Sequence, residues 1–415
     1  MALFLEALDV EEFNQIKTTS IKNILTLRYD STQKTLLPNL TWKDFIEKPV
    51  IEPVAHIEKT IRNTIKKNFD NSKSKVAVAL SGGIDSTLIL SLLRKTCPHL
   101  GIDAISVKFA DSVDESVHAA KIAEIFEADH HVIYIENYLK ELPKAISIIK
   151  LPFWDLHWYY VVKKARSLSK ILVSGDGGDE LFGGYTFRYK KFLSLIKPDF
   201  LPTEKVKAYL KCHERDWVPD QEDLFGKKVH FSWNEIYGNL KPYFDNLLPP
   251  LAQVFLADFN GKLLYNWIPL NTKIHKHFEV RSIAPILSKE LISYAIHLPY
   301  KLKYDSNRDI GKILLRKILR KYVSDIMMSK TKQGFSINTT NLLNFHGREL
   351  CDYYLSDARI VKEGWIKKEW IKKHIKKLDK NPNVRYVNKF LGLLAFEIWF
   401  RLFITKEMKS NDTLG

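Results

Sequence analysis

The chain has 415 residues, enough for one large domain or two medium ones. It carries 64 basic and 48 acidic side chains, a formal charge of +16, with 45% hydrophobic residues; that balance is globular and excludes a disordered chain. Three widely separated cysteines, Cys97, Cys212 and Cys351, exclude a disulfide framework and a Cys-x-x-Cys zinc site.

These cysteines suit a reducing, cytoplasmic setting. Residues 1–10 lack a basic region followed by an apolar run, so no signal peptide is expected. No stretch reaches the ~18 consecutive apolar residues of a membrane helix. The basic surplus fits either a nucleic-acid surface or scattered solvated lysines around a site that holds triphosphate. The lysine clusters lie at helical spacing with apolar residues between them, which favours the second.

Residues 1–50 give weak signals and read as a short extension, with loop punctuation at 35–38 and 49–53. Ile57, Ile61 and Ile65 recur at spacing four, predicting a helix over 51–69. Val76 to Leu80 form a short apolar run, the mark of a parallel strand buried on both faces. The alternation continues with a helix over 86–95, a strand over 104–109 and a helix over 115–127. A strand over 131–135, a helix over 158–167 and a strand over 171–174 follow. Such alternation predicts an α/β fold, a doubly wound parallel sheet with right-handed crossovers. Beyond Tyr185 the signals are mostly helical, so a single domain is expected over 51–405, with 406–415 as a tail.

Two segments carry chemistry, each at the end of a predicted strand, where open parallel sheets bind ligands. The first is Ser81-Gly82-Gly83-Ile84-Asp85-Ser86. Its glycines let backbone approach phosphate oxygens, the helix N-terminus favours negative charge, and Ser81 and Ser86 add hydroxyls. Asp85 would repel phosphate unless a divalent cation lay between them, so it reads as a magnesium ligand. No Gly-Lys-Ser/Thr follows, which excludes a Walker loop. The second is Ser174-Gly175-Asp176-Gly177-Gly178-Asp179-Glu180-Leu181-Phe182-Gly183-Gly184-Tyr185. Its clustered acids need a cation or a shared proton. Two glycines alone would make an ordinary turn, and three acids a solvated one; the full strings in a strand–loop–helix setting point to a site.

Together these segments resemble the synthetase domain of the asparagine synthetase family, within the ATP-pyrophosphatase superfamily. The resemblance extends over about residues 51–400. It implies ATP as substrate and magnesium held by Asp85 and Asp179. It also implies that Asp176 supports acyl transfer and that Leu80, Val107, Ser174 and Gly175 lie near the nucleoside. Gly311 to Arg316 is similar to the family's Lys-x-x-Leu-Arg helix, and Lys330 to Phe335 to its Arg-x-Lys-x-Gly-Phe loop. Lys332, then Lys312, are the candidates to stabilise charge growing on departing pyrophosphate.

Two departures qualify the resemblance. Family members that hydrolyse glutamine expose a cysteine at position 2, whereas Ala2 stands here and only about 80 residues precede the first loop. Free ammonia, ammonia from a separate glutaminase subunit, or another amine is therefore the expected donor. The family's Glu-x-Arg-x-Pro segment is met by Phe278 to Ser288, but with Pro285 two residues late, leaving two registers open for Glu279 and Arg281. This departure bears on aspartate specificity more than on ATP use; the resemblance implies a small-molecule carboxylate as acceptor, aspartate by default, with other carboxylates and intramolecular ring closure as close variants. The alternatives are a tRNA- or nucleotide-modifying relative that adenylates a base carbonyl, and a non-catalytic subunit. Finally, Gly364 to Leu378 reads as a helix whose apolar stripe packs inward and whose lysines face solvent.

Overall fold

The computed structural model describes residues 17–69, 75–110, 112–324, 337–378 and 383–415. The chain enters through helix α1 (Thr18–Leu27) and helix α2 (Pro53–Phe69), then alternates strand and helix. β1 (Val76–Ala79), α3 (Ile84–Thr96), β2 (Ile102–Phe109), α4 (Ser116–Ile125) and β3 (Asp129–Ile135) make the first two crossovers. α5 (Leu142–Ile149) and α6 (His157–Leu168) lead back to β4 (Ile171–Val173). A fifth strand, β5 (Arg281–Ile283), completes a parallel sheet of order β3-β2-β1-β4-β5.

Side-chain alternation along the strands builds two cores. Val76, Val78 and Leu80 pack with Ile57, Ile61 and Ile65 of α2 and with the leucines of α3. Ala77 and Ala79 face the other way, toward α5, α6 and the helix Val384–Phe403. β1 is therefore covered on both faces, which is why it reads as a continuous apolar run rather than an alternating one. The sheet is α/β and parallel with helices on both faces, as expected from the sequence.

The strand order reverses at β1, which has β2 on one side and β4 on the other. In open parallel sheets ligands bind at such a reversal, outside the carboxyl ends of the strands. The two motif loops follow the adjacent, parallel strands β1 and β4 and so meet at that place.

Residues from 18 to 27 are more integral than their weak signal suggests. Ser20 to Leu27 of α1 are all buried, and Ile21 and Ile24 join the core that holds Val384–Phe403. At the other end Leu414 is buried, its amide donating to the Lys140 carbonyl at 2.9 Å. The predicted C-terminal stripe is helical over Lys368–Leu378. It buries Trp370, Ile371, His374 and Leu378, while Lys372, Lys373, Lys376 and Lys377 are exposed. Among the described residues no helix is long and apolar enough to cross a membrane.

Candidate active site

β1 delivers the first loop. The Leu80 carbonyl accepts a hydrogen bond from Ser106 Oγ at 2.6 Å, fixing the strand end to β2. Gly82 takes φ +73°, a left-handed turn that favours glycine, and Gly83 caps α3. The Ser81 amide donates to Ser86 Oγ at 3.3 Å, and Ser86 Oγ donates to the Gly83 carbonyl at 3.2 Å. The loop is thus closed on itself, with the amino end of a 13-residue helix behind it. Leu80 and Val107, the expected nucleoside neighbours, are both buried at the ends of β1 and β2.

β4 delivers the second loop. The Ser174 amide donates to the Ile283 carbonyl at 3.0 Å, tying it to β5. A short helix, α7 (Gly178–Phe182), begins after Gly177. The glycines of this loop are spacers between acids. A Cβ on Gly175 would stand 2.8 Å from Asp85 Cβ, and one on Gly178 would stand 2.3 Å from the Asp85 carboxylate carbon. On Gly184 it would stand 1.7 Å from Asp179 Oδ1 and 2.5 Å from Lys312 Cε.

Lys312 closes the arrangement. Its ammonium lies 2.5 Å from Asp85 Oδ2 and 2.6 Å from Asp179 Oδ1. The backbone of Lys312 is left-handed at φ +56°, and its amide donates to the Phe182 carbonyl at 3.0 Å. All three side chains are poorly exposed, at 11% for Lys312, 16% for Asp85 and 20% for Asp179. Burial alone would lower the Lys312 pKa, but Asp179 and Asp85 outweigh it and hold the ammonium charged, above its usual range. One cation therefore sits where two carboxylates from two loops converge.

Asp176 has a different environment. Burial pushes its pKa up to about 6, against hydrogen bonds from Ser174 and Trp267 and the field of His157. Ser174 Oγ donates to Asp176 Oδ2 at 2.8 Å. His157 lies 3.3 Å from Asp155 Oδ1, and Arg28 donates to Asp155 Oδ2 at 2.7 Å. Burial alone would raise the Asp155 pKa, yet His157 and Arg28 hold it well below the usual carboxylate range. Glu180 has a supporting part: its Oε1 accepts from the Tyr185 hydroxyl at 2.5 Å. The Arg188 guanidinium lies 3.4 Å above the Tyr185 ring and pairs with buried Asp258 at 3.1 Å.

Most of the sequence-predicted residues thus come together. Ser81, Gly82, Gly83, Asp85 and Ser86 form one loop, Ser174, Gly175, Asp176 and Asp179 the other, and Lys312 bridges them. Lys332 lies outside the described residues. Around Pro285, Arg281 pairs with Ile171, at the opposite end of β4 from the motif loop, and Pro285 opens a turn over Pro285–Leu287. Glu279 is exposed and paired with Arg166 at 3.1 Å, so neither Glu279 nor Arg281 belongs to the cluster around Lys312. Sequence reading missed Asp155, His157, Trp267 and Arg28. They sit on linkers and helix ends with no motif spacing, and only their convergence behind Asp176 reveals them.

A magnesium ion fits this donor set. Magnesium is usually held by one or two carboxylates plus substrate phosphates. Asp85 and Asp179 supply such a pair, already converging on a single positive charge.

The parallel sheet, with its two glycine-rich loops side by side where the strand order reverses, defines an α/β domain whose candidate site lies at the carboxyl ends of its strands. The family model described as asparagine synthase matches residues 56–401, and the chain belongs to that family. A glutamine-hydrolyzing asparagine synthetase 1 of Bacillus subtilis (strain 168) is 26% identical over 427 residues, covering 92% of this chain and 66% of its own length. Amidase chry2 of Gibberella zeae is 24% identical over 339 residues, covering 63% of this chain and 49% of its own. The chain thus spans less than two thirds of the length of either relative. Among solved structures, NMN synthetase from Francisella tularensis aligns over 51% of this chain and 94% of its own, at 17% identity. Its TM-score of 0.27 is too low to carry an argument.

Proposed function

We propose that the chain is an ATP-dependent carbon–nitrogen ligase of asparagine synthetase type. A carboxylate oxygen attacks the α-phosphorus of ATP, the bond to the β-phosphate bridge breaks, and pyrophosphate leaves. An amine then attacks the acyl carbon of the adenylate and AMP departs, leaving an amide. Aspartate is the default carboxylate, and ammonia, free or delivered by a separate glutaminase subunit, the default amine.

The observation that carries this reading is the convergence of Asp85 and Asp179, from two different loops, on the Lys312 ammonium. Such a site handles a departing pyrophosphate through fixed positive charge and oriented N–H groups. The first loop would cradle the phosphates with its amides and the Ser81 and Ser86 hydroxyls. Lys312 would neutralise charge that grows on the leaving group, with Lys332 as a second cation. When bound, magnesium would neutralise pyrophosphate charge and orient it against Asp85 and Asp179. Asp176, with Ser174 and Trp267 fixing its carboxylate, would hold a proton of the incoming amine. Buried Leu80 and Val107 would pack under the nucleoside.

The test is ATP-dependent pyrophosphate release with magnesium, screened across aspartate and other carboxylates, with ammonia and with glutamine. Release that requires aspartate and ammonia and ignores glutamine supports the default substrates. Silence with every small carboxylate, followed by release on adding RNA or a peptide, would reassign the acceptor. Silence under all conditions would overturn the ligase reading.

A further inference from the structure

We infer that Lys312 is an exchangeable counter-ion, holding the metal position between Asp85 and Asp179 until a divalent cation displaces its ammonium. The inference rests on the proposed metal role of those two carboxylates.

Two carboxylates held this close in a poorly exposed place repel each other unless a cation lies between them. The chain supplies one itself. The ammonium is within 2.6 Å of both acids; Gly175 and Gly178 lack the side chains that would part the loops, and Gly184 lacks one that would strike Asp179 and Lys312. The Lys312 backbone cannot drift, because its amide is bonded to Phe182 and it opens the helix Ile313–Leu319. Only its flexible four-carbon stem is free to swing. A divalent ion at Asp85 and Asp179 would put a second positive charge beside the ammonium, and like charges would drive Lys312 away. An arriving triphosphate offers the released ammonium a new partner.

Two consequences follow from linkage. A metal without nucleotide must displace an ion pair and leaves the Lys312 ammonium with no new anionic partner, so it binds weakly. Metal and polyphosphate together bind cooperatively, because the second compensates the lysine that the first displaces. The same lysine thus protects the acids in the resting chain and is delivered to the leaving group in the loaded one.

The experiment uses the full chain and manganese alone as the probe, with free ion followed by electron paramagnetic resonance. Lys312→Met should bind manganese roughly tenfold more tightly than the wild type, since the internal competitor is gone. In the wild type, manganese should also raise acylation of Lys312 by an amine-reactive reagent, read by peptide mass spectrometry. That second readout decides the matter if the variant does not fold. Unchanged manganese affinity in folded Lys312→Met would overturn the exchange while leaving the metal role of the acids intact. Unchanged labelling of Lys312 across a saturating manganese titration would also overturn it. Absence of manganese binding in both chains would overturn the metal role itself, and the exchange with it.

Discussion

Gly178 and Asp85 are packed so closely that a Cβ on the glycine would lie 2.3 Å from the carboxylate carbon of the aspartate. The second loop can close on the first only because nothing projects from that position. Gly178→Ala should therefore push the Asp85 carboxylate out of line with Lys312 and Asp179. Turnover should fall about 100-fold, the scale of a misplacement of roughly 1 Å. The cost in stability should be about 1–3 kcal/mol, as for a modest overpacking. Pyrophosphate release alongside a thermal melt separates the two effects. Near-wild-type turnover in the folded variant would mean that the loops can part without consequence.

Asp85→Asn keeps the shape of the side chain and removes the charge that would meet the metal. Pyrophosphate release should drop by about 10²–10³, the range seen when a placed electrostatic group is lost. The variant should remain folded, because Lys312 keeps Asp179 as its partner at 2.6 Å. Retained turnover would refute the metal assignment.

Asp176 makes a pH prediction. Burial raises its pKa to about 6, from the 3.8 of a freely solvated aspartate. A raised acid binds its proton more tightly in the folded state. Its contribution to stability is fully present below pH 3.8 and is lost as pH rises through about 6. Asp176→Asn should accordingly gain about 1–3 kcal/mol over wild type at pH 8 and little at pH 4. If the carboxylate form serves acyl transfer, wild-type turnover should climb through pH 6 while the variant stays low and flat. Equal denaturation midpoints at both pH values would refute the strained-carboxylate account.

Lys332 was singled out by its motif and lies outside the described residues. Lys332→Ala should depress turnover more than ATP affinity, since its charge is needed as pyrophosphate leaves. A loss confined to ATP binding would reassign it to ground-state recognition.

Helix α1 offers a test of the fold. Ile21 is fully buried against the helix Val384–Phe403. Ile21→Ala should cost about 2–5 kcal/mol in chemical denaturation. A change near zero would show that α1 contributes little to the core.

What the sequence determined by itself was the central sheet and the two loops. β1 and β4 are apolar throughout, as strands covered on both faces tend to be, while β2 and β3 mix apolar and polar residues between turn signals. Glycines and acids at strand ends marked the site before any contact was known. β5 escaped because it is three residues long and begins with exposed Arg281 and Ser282. Helix α1 escaped because it buries polar residues, and their partners lie far along the chain. Lys22 pairs with Glu235, and Thr26 accepts from Gln221. Tertiary structure alone decided that Lys312 bridges Asp85 and Asp179, and that Asp155 and His157 stand behind Asp176. Periodicity and motif spacing are local properties, whereas the Lys312–Asp85 pair joins positions 227 residues apart. Their meeting depends on the order in which the strands assemble, and strand order leaves no trace in the spacing of residues along the chain.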